Sequence, residues 1–436
     1  MSLYEKLEDV LDALQRKGLP EAEVYAKRGR SRVVRWSAEL ESIGFRQEEG
    51  WAARAGDRRR SFFYAATGAP DPEIAWPEAD GEGLRLATGL VVPAWTPPVD
   101  FDLPLLGETE SQQFIAELRR ELDREYPGAE LLSLELDDGA SEAGILSSRE
   151  VRHLTRQRLA VLRVEARCKK RPATSTALRL LARSAKGFRA ATVARRLADL
   201  LVIAGQGAAP MRDRGDFLLA PQVFATLLES LLDLFVGPAA AGHRAPLLER
   251  QATLGSKLLT LIDNGRLAGG PFDAPVDGEG LPTREIVVVE QGLFRQSLLD
   301  WREAKGAERP SGCTSRPSWR DLPSPGPTHF FLAPHPNVSV GQLLGSLQRG
   351  YYLLATRGGV RLEKSSQRFA VAVEGFAIEK GKAATPISGG WLTGSIKALF
   401  GGLQAVGRDL AFVPARKGLV GSPTVLIRGL EIRGGT

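Results

Sequence analysis

Periodicity constrains this chain more than any other feature. Near the N-terminus three stretches alternate apolar and polar residues: Glu23-Val-Tyr-Ala-Lys-Arg, Ser31-Arg-Val-Val-Arg-Trp and Leu40-Glu-Ser-Ile-Gly-Phe-Arg. Alternation places the two residue types on opposite faces of a pleated strand, as a half-buried antiparallel sheet requires. Gly50-Trp-Ala-Ala-Arg-Ala and Arg60-Ser-Phe-Phe-Tyr-Ala-Ala add two strands, with Gly56-Asp57 as the turn. Ahead of them, Leu3, Leu7, Val10, Leu11 and Leu14 recur at helical spacing until Gly18 and Pro20 stop the pattern. The chain therefore opens with a helix and a meander of strands.

The Pro- and Gly-rich residues 69–109 read as loop. A second helix is predicted over 110–126, ended by Pro127-Gly128, then short strands over 130–136, 143–148 and 159–168 and a third helix over 188–204. Gly205 to Pro221 reads as a domain boundary. The second half begins with a helix over 221–236, stopped by Gly237-Pro238. Strands follow over 284–290, 293–299, 328–333, 351–356, 368–373, 376–379 and 424–428. Helical patterns interrupt at 339–349 and 394–406, and 304–327 read as a long loop. The fold class expected is α+β. An N-terminal helix plus antiparallel-strand domain, residues 1–208, precedes a strand-rich C-terminal domain, residues 209–436.

A chain of 436 residues with 43% hydrophobic and 25% charged residues can bury a core in each domain, which excludes a disordered chain. No run reaches the roughly 18 apolar residues of a membrane helix. The acidic start, with Glu5, Glu8, Asp9 and Asp12, is unlike a secretory leader. Two distant cysteines, Cys168 and Cys313, make no disulfide framework. The expected compartment is the cytoplasm. Net charge is +6, yet residues 149–196 hold fifteen Lys and Arg against Glu150 and Glu165. Val161, Val164, Phe188, Leu197 and Leu200 look like core positions in that stretch. Its charges then read as solvated faces of strands and a helix, and nucleic acid is not the expected partner.

The motifs of common chemistries fail one by one. Gly375 to Lys382 is one residue too long for a phosphate loop, and Ala383 stands where a magnesium-binding hydroxyl belongs. Gly205-Gln-Gly-Ala-Ala-Pro has Pro210 in place of the third glycine of a dinucleotide fingerprint. There is no Gly-x-Ser-x-Gly. His153, His243, His329 and His335 include no pair three or four apart, the spacing that sets two zinc ligands on one helical face. No catalytic residue and no metal ligand is assigned.

Several segments together resemble the TldD/PmbA family. Ala22-Glu-Val-Tyr-Ala-Lys-Arg-Gly-Arg, Leu40-Glu-Ser and Gly50-Trp-Ala-Ala-Arg are similar to its opening. Pro271-Phe-Asp, Asp277-Gly-Glu-Gly-Leu-Pro-Thr-Arg and the Val-Val-Val-Glu-Gln-Gly-Leu-Phe that follows resemble its central signature. Ser324-Pro-Gly-Pro-Thr, Gly375-Phe-Ala-Ile-Glu-Lys-Gly-Lys, Pro386-Ile-Ser-Gly, Ala405-Val-Gly-Arg-Asp-Leu and Gly421-Ser-Pro resemble later landmarks, in the same order.

The resemblance implies a zinc peptidase frame. In the TldD-like branch a His-Glu-x-x-x-His helix supplies zinc ligands and a general base, and a cysteine near the C-terminus adds a ligand. The corresponding helix here, Ala225-Thr-Leu-Leu-Glu-Ser-Leu-Leu-Asp-Leu-Phe, has no histidine, and Lys417-Gly-Leu-Val-Gly-Ser-Pro has no cysteine. That pattern is the TldE-like, PmbA-like branch. It implies a non-catalytic subunit, with Glu229 and Asp233 on a degenerate metal-site helix, no cofactor in this chain, and zinc in a TldD-like partner. Such complexes act on small or unfolded peptides, and a homodimer is expected when the partner is absent. Candidate strands for docking an extended peptide carry Arg284, Val287, Phe369 and Val371. The alternative is a stand-alone homodimeric protein that binds peptide or nucleic acid without protease activity. If 149–196 is a solvated face, DNA binding in a filter or anisotropy assay is expected to be weak, sequence-independent and lost by about 200 mM salt. Sequence-selective binding that survives such salt would favour the nucleic-acid alternative.

Overall fold

A computed structural model describes residues 3–79, 81–92, 102, 104–169, 171–237, 248–304, 312–363, 365–416 and 418–434. Pro238, His243, Lys417 and parts of the predicted loops 69–109 and 304–327 lie outside them. The fold is α+β. Helix α1 (Leu3–Arg16) leads into β1 (Glu21–Ser37), β2 (Glu41–Gly56), β3 (Arg60–Thr67) and the short β4 (Gly81–Glu82). Next come α2 (Glu108–Glu125), β5 (Ala129–Ser147), β6 (Arg152–Cys168), β7 (Arg171–Ala182) and α3 (Ala190–Gln206). The seven strands form one antiparallel sheet in the order β4-β3-β2-β1-β5-β6-β7.

Strands β1 and β5, of 17 and 19 residues, are long enough to serve two cores. At one end Leu7, Val10, Leu11 and Leu14 of α1 pack on Ala22, Val24, Trp51 and Leu146. At the other, Leu118 and Leu122 of α2 and Val193 and Leu197 of α3 pack with Val34, Leu134, Leu136 and Leu162. Each such leucine contributes about 1.5–3 kcal/mol when fully buried. The sheet's middle, from Arg28 to Arg30 on β1, belongs to neither core.

Several sequence expectations shift. The stretches 23–28 and 31–36, read as two strands, are one, β1, and 40–46 and 50–55 are one, β2. Residues 130–136 and 143–148 are one strand, β5, because Asp137-Asp-Gly is not a turn. Asp138 is 1% exposed and accepts from Arg158 at 3.0 Å and from the main-chain N–H groups of Leu106 at 2.9 Å and Ala185 at 3.2 Å, so its carboxylate is satisfied within the fold. The polar Pro172-Ala-Thr-Ser-Thr hides β7 from an alternation test. Val161 and Val164 are three apart on a strand and cannot share a face; Leu162, Val164 and Ala166 are buried and Val161 is half-buried. Several arginines of 149–196 have local partners. Arg156 meets Glu142 at 2.7 Å, Arg163 meets Glu135 at 3.2 Å and Arg167 meets Glu130 at 2.7 Å, each directly across β5 and β6.

The second half runs β8 (Asp213–Leu219), α4 (Pro221–Ser230), β9 (Leu261–Asn264), β10 (Glu285–Glu290), β11 (Leu293–Phe294), β12 (Thr314–Ser315), β13 (Ser324–Pro325) and β14 (His329–Leu332). It ends with α5 (Val340–Ser346), β15 (Arg349–Glu363), β16 (Arg368–Glu379), β17 (Lys382–Ser395), α6 (Ile396–Gly401), β18 (Leu403–Val406), β19 (Ala411–Pro414), β20 (Leu419–Ser422) and β21 (Val425–Gly434). Helix α4 stops at Ser230, short of the expected 236, and one 3-10 turn at Leu232–Leu234 follows. Two sheets, β11-β10-β9-β14-β20-β19 and β17-β16-β15-β8-β21-β18, enclose Phe217, Phe224, Phe235, Phe330 and Phe400. Strand β17 also pairs with β21, so five strands of the second sheet close on themselves. No helix among the described residues is long and apolar enough to cross a membrane.

The halves meet through close backbone approach and buried charge. A Cβ on Gly50 of β2 would lie 2.1 Å from Trp319, which packs with Tyr25, Ile145 and Val151. Gly280, at φ +77°, brings the turn 277–281 against Val151, where a Cβ would stand 2.2 Å from the valine methyl. Arg54 grips Glu23 with two hydrogen bonds of 2.8 Å, and Arg316 from the second half joins the same carboxylate. Burial alone would raise the Glu23 carboxyl, but Arg316 and Arg54 overcome it and hold it below the usual range.

Glu279, 4.0 Å from Arg54, goes the other way: burial first, and the Asp277 carboxylate second, push it from 4.5 up to about 8. The folded chain then holds a proton that the unfolded chain releases between those values, so stability falls as pH rises through the window. The Glu279→Gln variant still offers an acceptor to the Trp301 N–H, 2.9 Å from the native carboxylate. It is expected to flatten that fall, its urea midpoint gaining on the parent's between about pH 5 and about pH 8. Identical slopes for the two proteins would exclude Glu279 as the source.

Candidate functional site

A cleft lies where the polar middle of the N-terminal sheet faces the loops of the second half. Its sheet side consists of Tyr25 and Lys27 of β1, Ser141, Ala143 and Ile145 of β5, and Thr155 and Gln157 of β6. Pleating sets these residues on one face, since Lys27 pairs with Ala143, which pairs with Thr155. The opposite side is Phe272 to Gly278, Thr314 to Pro317, Pro327-Thr328 and the segment at Arg416 and Gly418. This cavity is about 240 Å³, and a second of about 290 Å³ adjoins it, sharing Lys27, Ser141, Gln157 and Phe272.

Asp277 organises the far wall. Its carboxylate accepts from the main-chain N–H groups of Glu279 and Leu281, both at 2.9 Å, and of Thr314 at 3.1 Å, which ties the turn 277–281 to β12. Arg316 donates to Gly278 O at 2.7 Å and to Glu23, and its guanidinium lies 4.7 Å from the centre of the Tyr25 ring. Burial raises the Tyr25 hydroxyl to about 12, with Arg316 opposing, so it is a neutral donor. Burial also lowers the Lys27 ammonium below its usual range, with Glu48 and Asp321 opposing.

His329 stands beside this wall but not in it. It is fully buried, between Phe272 at 4.4 Å and Phe412 at 5.5 Å. Its Nδ1 lies 2.9 Å from Asn264 O, so that nitrogen carries the proton and donates. Burial lowers its pKa to about 4, and it is a neutral core side chain. His335 is exposed.

The helix that the resemblance marks as a metal site does meet the C-terminal hairpin, for α4 packs on β19 and β20. The junction holds Glu229, Asp233 and Arg416. Asp233 lies beyond the end of α4, in the 3-10 turn, and pairs with Arg416 at 3.4 Å. Burial raises Glu229, against a hydrogen bond from the Arg416 main chain and the nearby Arg179. Zinc sites use imidazole, thiolate and carboxylate ligands converging from three or four residues. An Asp233 paired with a guanidinium and a Glu229 that accepts from the Arg416 main chain do not fit that ion, and among the described residues no group of three or more His, Cys, Asp or Glu could hold a metal.

The expected peptide-docking strands are placed differently. Arg284 precedes β10 and is exposed, while Val287 is half-buried in β10, which lies between β9 and β11. Phe369 and Val371 are 3% and 0% exposed in β16, which is bonded on its two edges to β15 and β17. Adding a strand needs a free edge, and β16 has none, so a peptide cannot pair with it directly; Phe369 and Val371 belong to the C-terminal core, and Phe369 also lines a cavity of about 700 Å³ with Arg361 and Arg433. Pattern reasoning passed over Lys27, Arg316 and Arg416 as parts of a site. A signal was present: residues 22–30, 50–54, 271–284 and 324–328, far apart in sequence, converge at this cleft and its buried charges.

Comparison with known proteins agrees with this architecture. A metalloprotease TldD homolog of Buchnera aphidicola is 28% identical over 157 residues, 36% of this chain and 32% of that protein. An uncharacterized Methanocaldococcus jannaschii protein is 26% identical over 221 residues, half of each chain. The chain thus matches about a third to a half of the length of these relatives. A Thermotoga maritima crystal structure described as a modulator of a DNA gyrase superposes with TM-score 0.86 at 17% identity, covering 99% of this chain and all of that one. TldE from Thermococcus kodakarensis superposes with TM-score 0.84 at 17% identity, covering 98% and 100%. At such identity these two likenesses speak for the fold alone. Residues 212–434 match the model of the PmbA/TldA metallopeptidase C-terminal domain, and with more than half of its length in that match the chain belongs to the metallopeptidase-related PmbA/TldD family.

Proposed function

We propose that the chain is a non-catalytic, TldE-like subunit of a TldD/TldE-type zinc metallopeptidase complex that acts on small or unfolded peptides. The observation that carries this reading is the junction of α4 with the C-terminal hairpin. Helix α4 meets β19 and β20 there, and the Arg416 guanidinium pairs with Asp233 while its main-chain N–H donates to Glu229. A guanidinium paired with Asp233 neither polarises a carbonyl nor activates water, which are the tasks a catalytic zinc performs. The chain's own contribution is then to bind and orient peptide in the cleft between its halves, while a TldD-like subunit supplies the zinc and the chemistry. The proposed compartment is the cytoplasm.

Two measurements test it. The purified chain, dialysed and analysed for metal, is expected to hold far less than one zinc per chain and to leave an unfolded casein substrate uncut. Stoichiometric zinc with chelator-sensitive cleavage would overturn the proposal. Co-expression with a TldD-like homologue is expected to yield a mixed complex on size exclusion, with zinc-dependent peptidase activity absent from this chain alone. Separate elution, with the homologue equally active by itself, would leave a stand-alone homodimeric binding protein as the better reading.

A further inference from the structure

Lys27 lies at the join of the two cavities and lines them both. Its ammonium donates to Pro317 O at 3.2 Å, and no ion pair is recorded for it among the described residues. The other cations here are engaged. Arg46 pairs with Asp137 at 2.6 Å, Arg316 with Glu23, and Arg416 with Asp233 at 3.4 Å. The two acids that Lys27 senses are also committed: Glu48 lies 3.6 Å from Arg46, and Asp321 accepts from the Ser318 main chain at 2.9 Å. The Lys27 side chain is half-buried and its hydrogen bond to Pro317 O is exposed, so the ammonium can be reached by an incoming anion and pair with it.

The floor beside it is low and polar. Gly29 pairs with Ser141, which pairs with Gln157, and a Cβ on Gly29 would meet nothing closer than 3.8 Å. A ligand group can therefore come down on the sheet next to the ammonium, with a hydroxyl and an amide within its surroundings. With Arg46 paired to Asp137 and Arg316 to Glu23, Lys27 is, among the described residues, the cation left to meet an incoming group, and one monovalent oxyanion matches one lysine.

We propose that Lys27 captures a carboxylate of the bound peptide, by a charge-assisted hydrogen bond that fixes where the chain lies in the cleft. The proposal rests on the peptide-binding reading above and adds an anchor to it. The carboxylate comes from the peptide's C-terminus or from an acidic side chain, and the test separates the two.

Three short, unstructured, N-terminally fluorescein-labelled peptides of one sequence serve as probes: a free acid, its C-terminal amide, and the amide with one internal Asp. Anisotropy is read on the full chain. The native chain is expected to bind the free acid about ten- to a hundred-fold more tightly than the amide, the range for a hydrogen bond to a charged group. Lys27→Met is expected to abolish that preference, and Lys27→Arg to keep most of it, with circular dichroism unchanged in both. If the Asp-containing amide binds as tightly as the free acid, the carboxylate can be a side chain and the proposal stands. Equal binding of all three by the native chain overturns the lysine anchor and leaves the peptide reading intact. A preference that survives Lys27→Met overturns it too. Binding of none of the three overturns the anchor together with the peptide-binding role.

Discussion

Arg316 is the contact on which the arrangement of the two halves depends. Its side chain is 1% exposed and reaches across to Glu23, itself 3% exposed, on the central strand of the N-terminal sheet. The same guanidinium holds Gly278 O and covers Tyr25, so a single residue touches the sheet, the turn 277–281 and the cleft. Two arginines around one carboxylate offset the desolvation that would otherwise protonate it. Removing one member of such a buried group typically costs about 3–5 kcal/mol, because the others are left without partners. The geometry this fixes is specific, since Arg54 approaches Glu23 from β2 while Arg316 approaches from the loop after β12.

Charge elsewhere follows a more local logic. Arg156, Arg163 and Arg167 of β6 face acids of β5 in register, so part of the charge of a segment that is strongly basic in sequence is neutralised by its neighbour strand. These pairs are partly exposed and worth little each, typically below about 1 kcal/mol. Their role is to let two long strands run through solvent between two apolar cores. The cleft forms above that same stretch because a sheet face with no helix packed on it is the place left for the second half to cover.

Packing, rather than the charges at its end, holds helix α4 against the C-terminal hairpin. Helix α4 is held by Val223, Phe224, Leu227 and Leu228, all buried in the large C-terminal core, and none of these side chains depends on what occupies the end of the helix. Packing therefore preserves the approach of α4 to β19 and β20 while the residues at the end of the helix are free to differ. Arg416 then turns the place into an ordinary ion pair.

The sequence by itself determined the elements whose signal is local. Alternation in 21–67 and helical spacing in 3–16 are consequences of which residues can face a core, and they survive any arrangement of the rest. The ordered segments also carried the family, and the absence of histidine from Ala225 to Phe235 was plain on reading. Tertiary structure decided what depended on distant partners. Asp138 could remain in a strand only because Arg158, Leu106 and Ala185 come to it, and β16 could offer no edge once β15 and β17 had bonded to it. Lys27 looks like any strand lysine until Pro317 and Phe272, more than two hundred positions away, face it across the cleft. Burial and electrostatic pairing are properties of neighbourhoods in space, and a linear pattern records only the half of each contact that lies on its own segment.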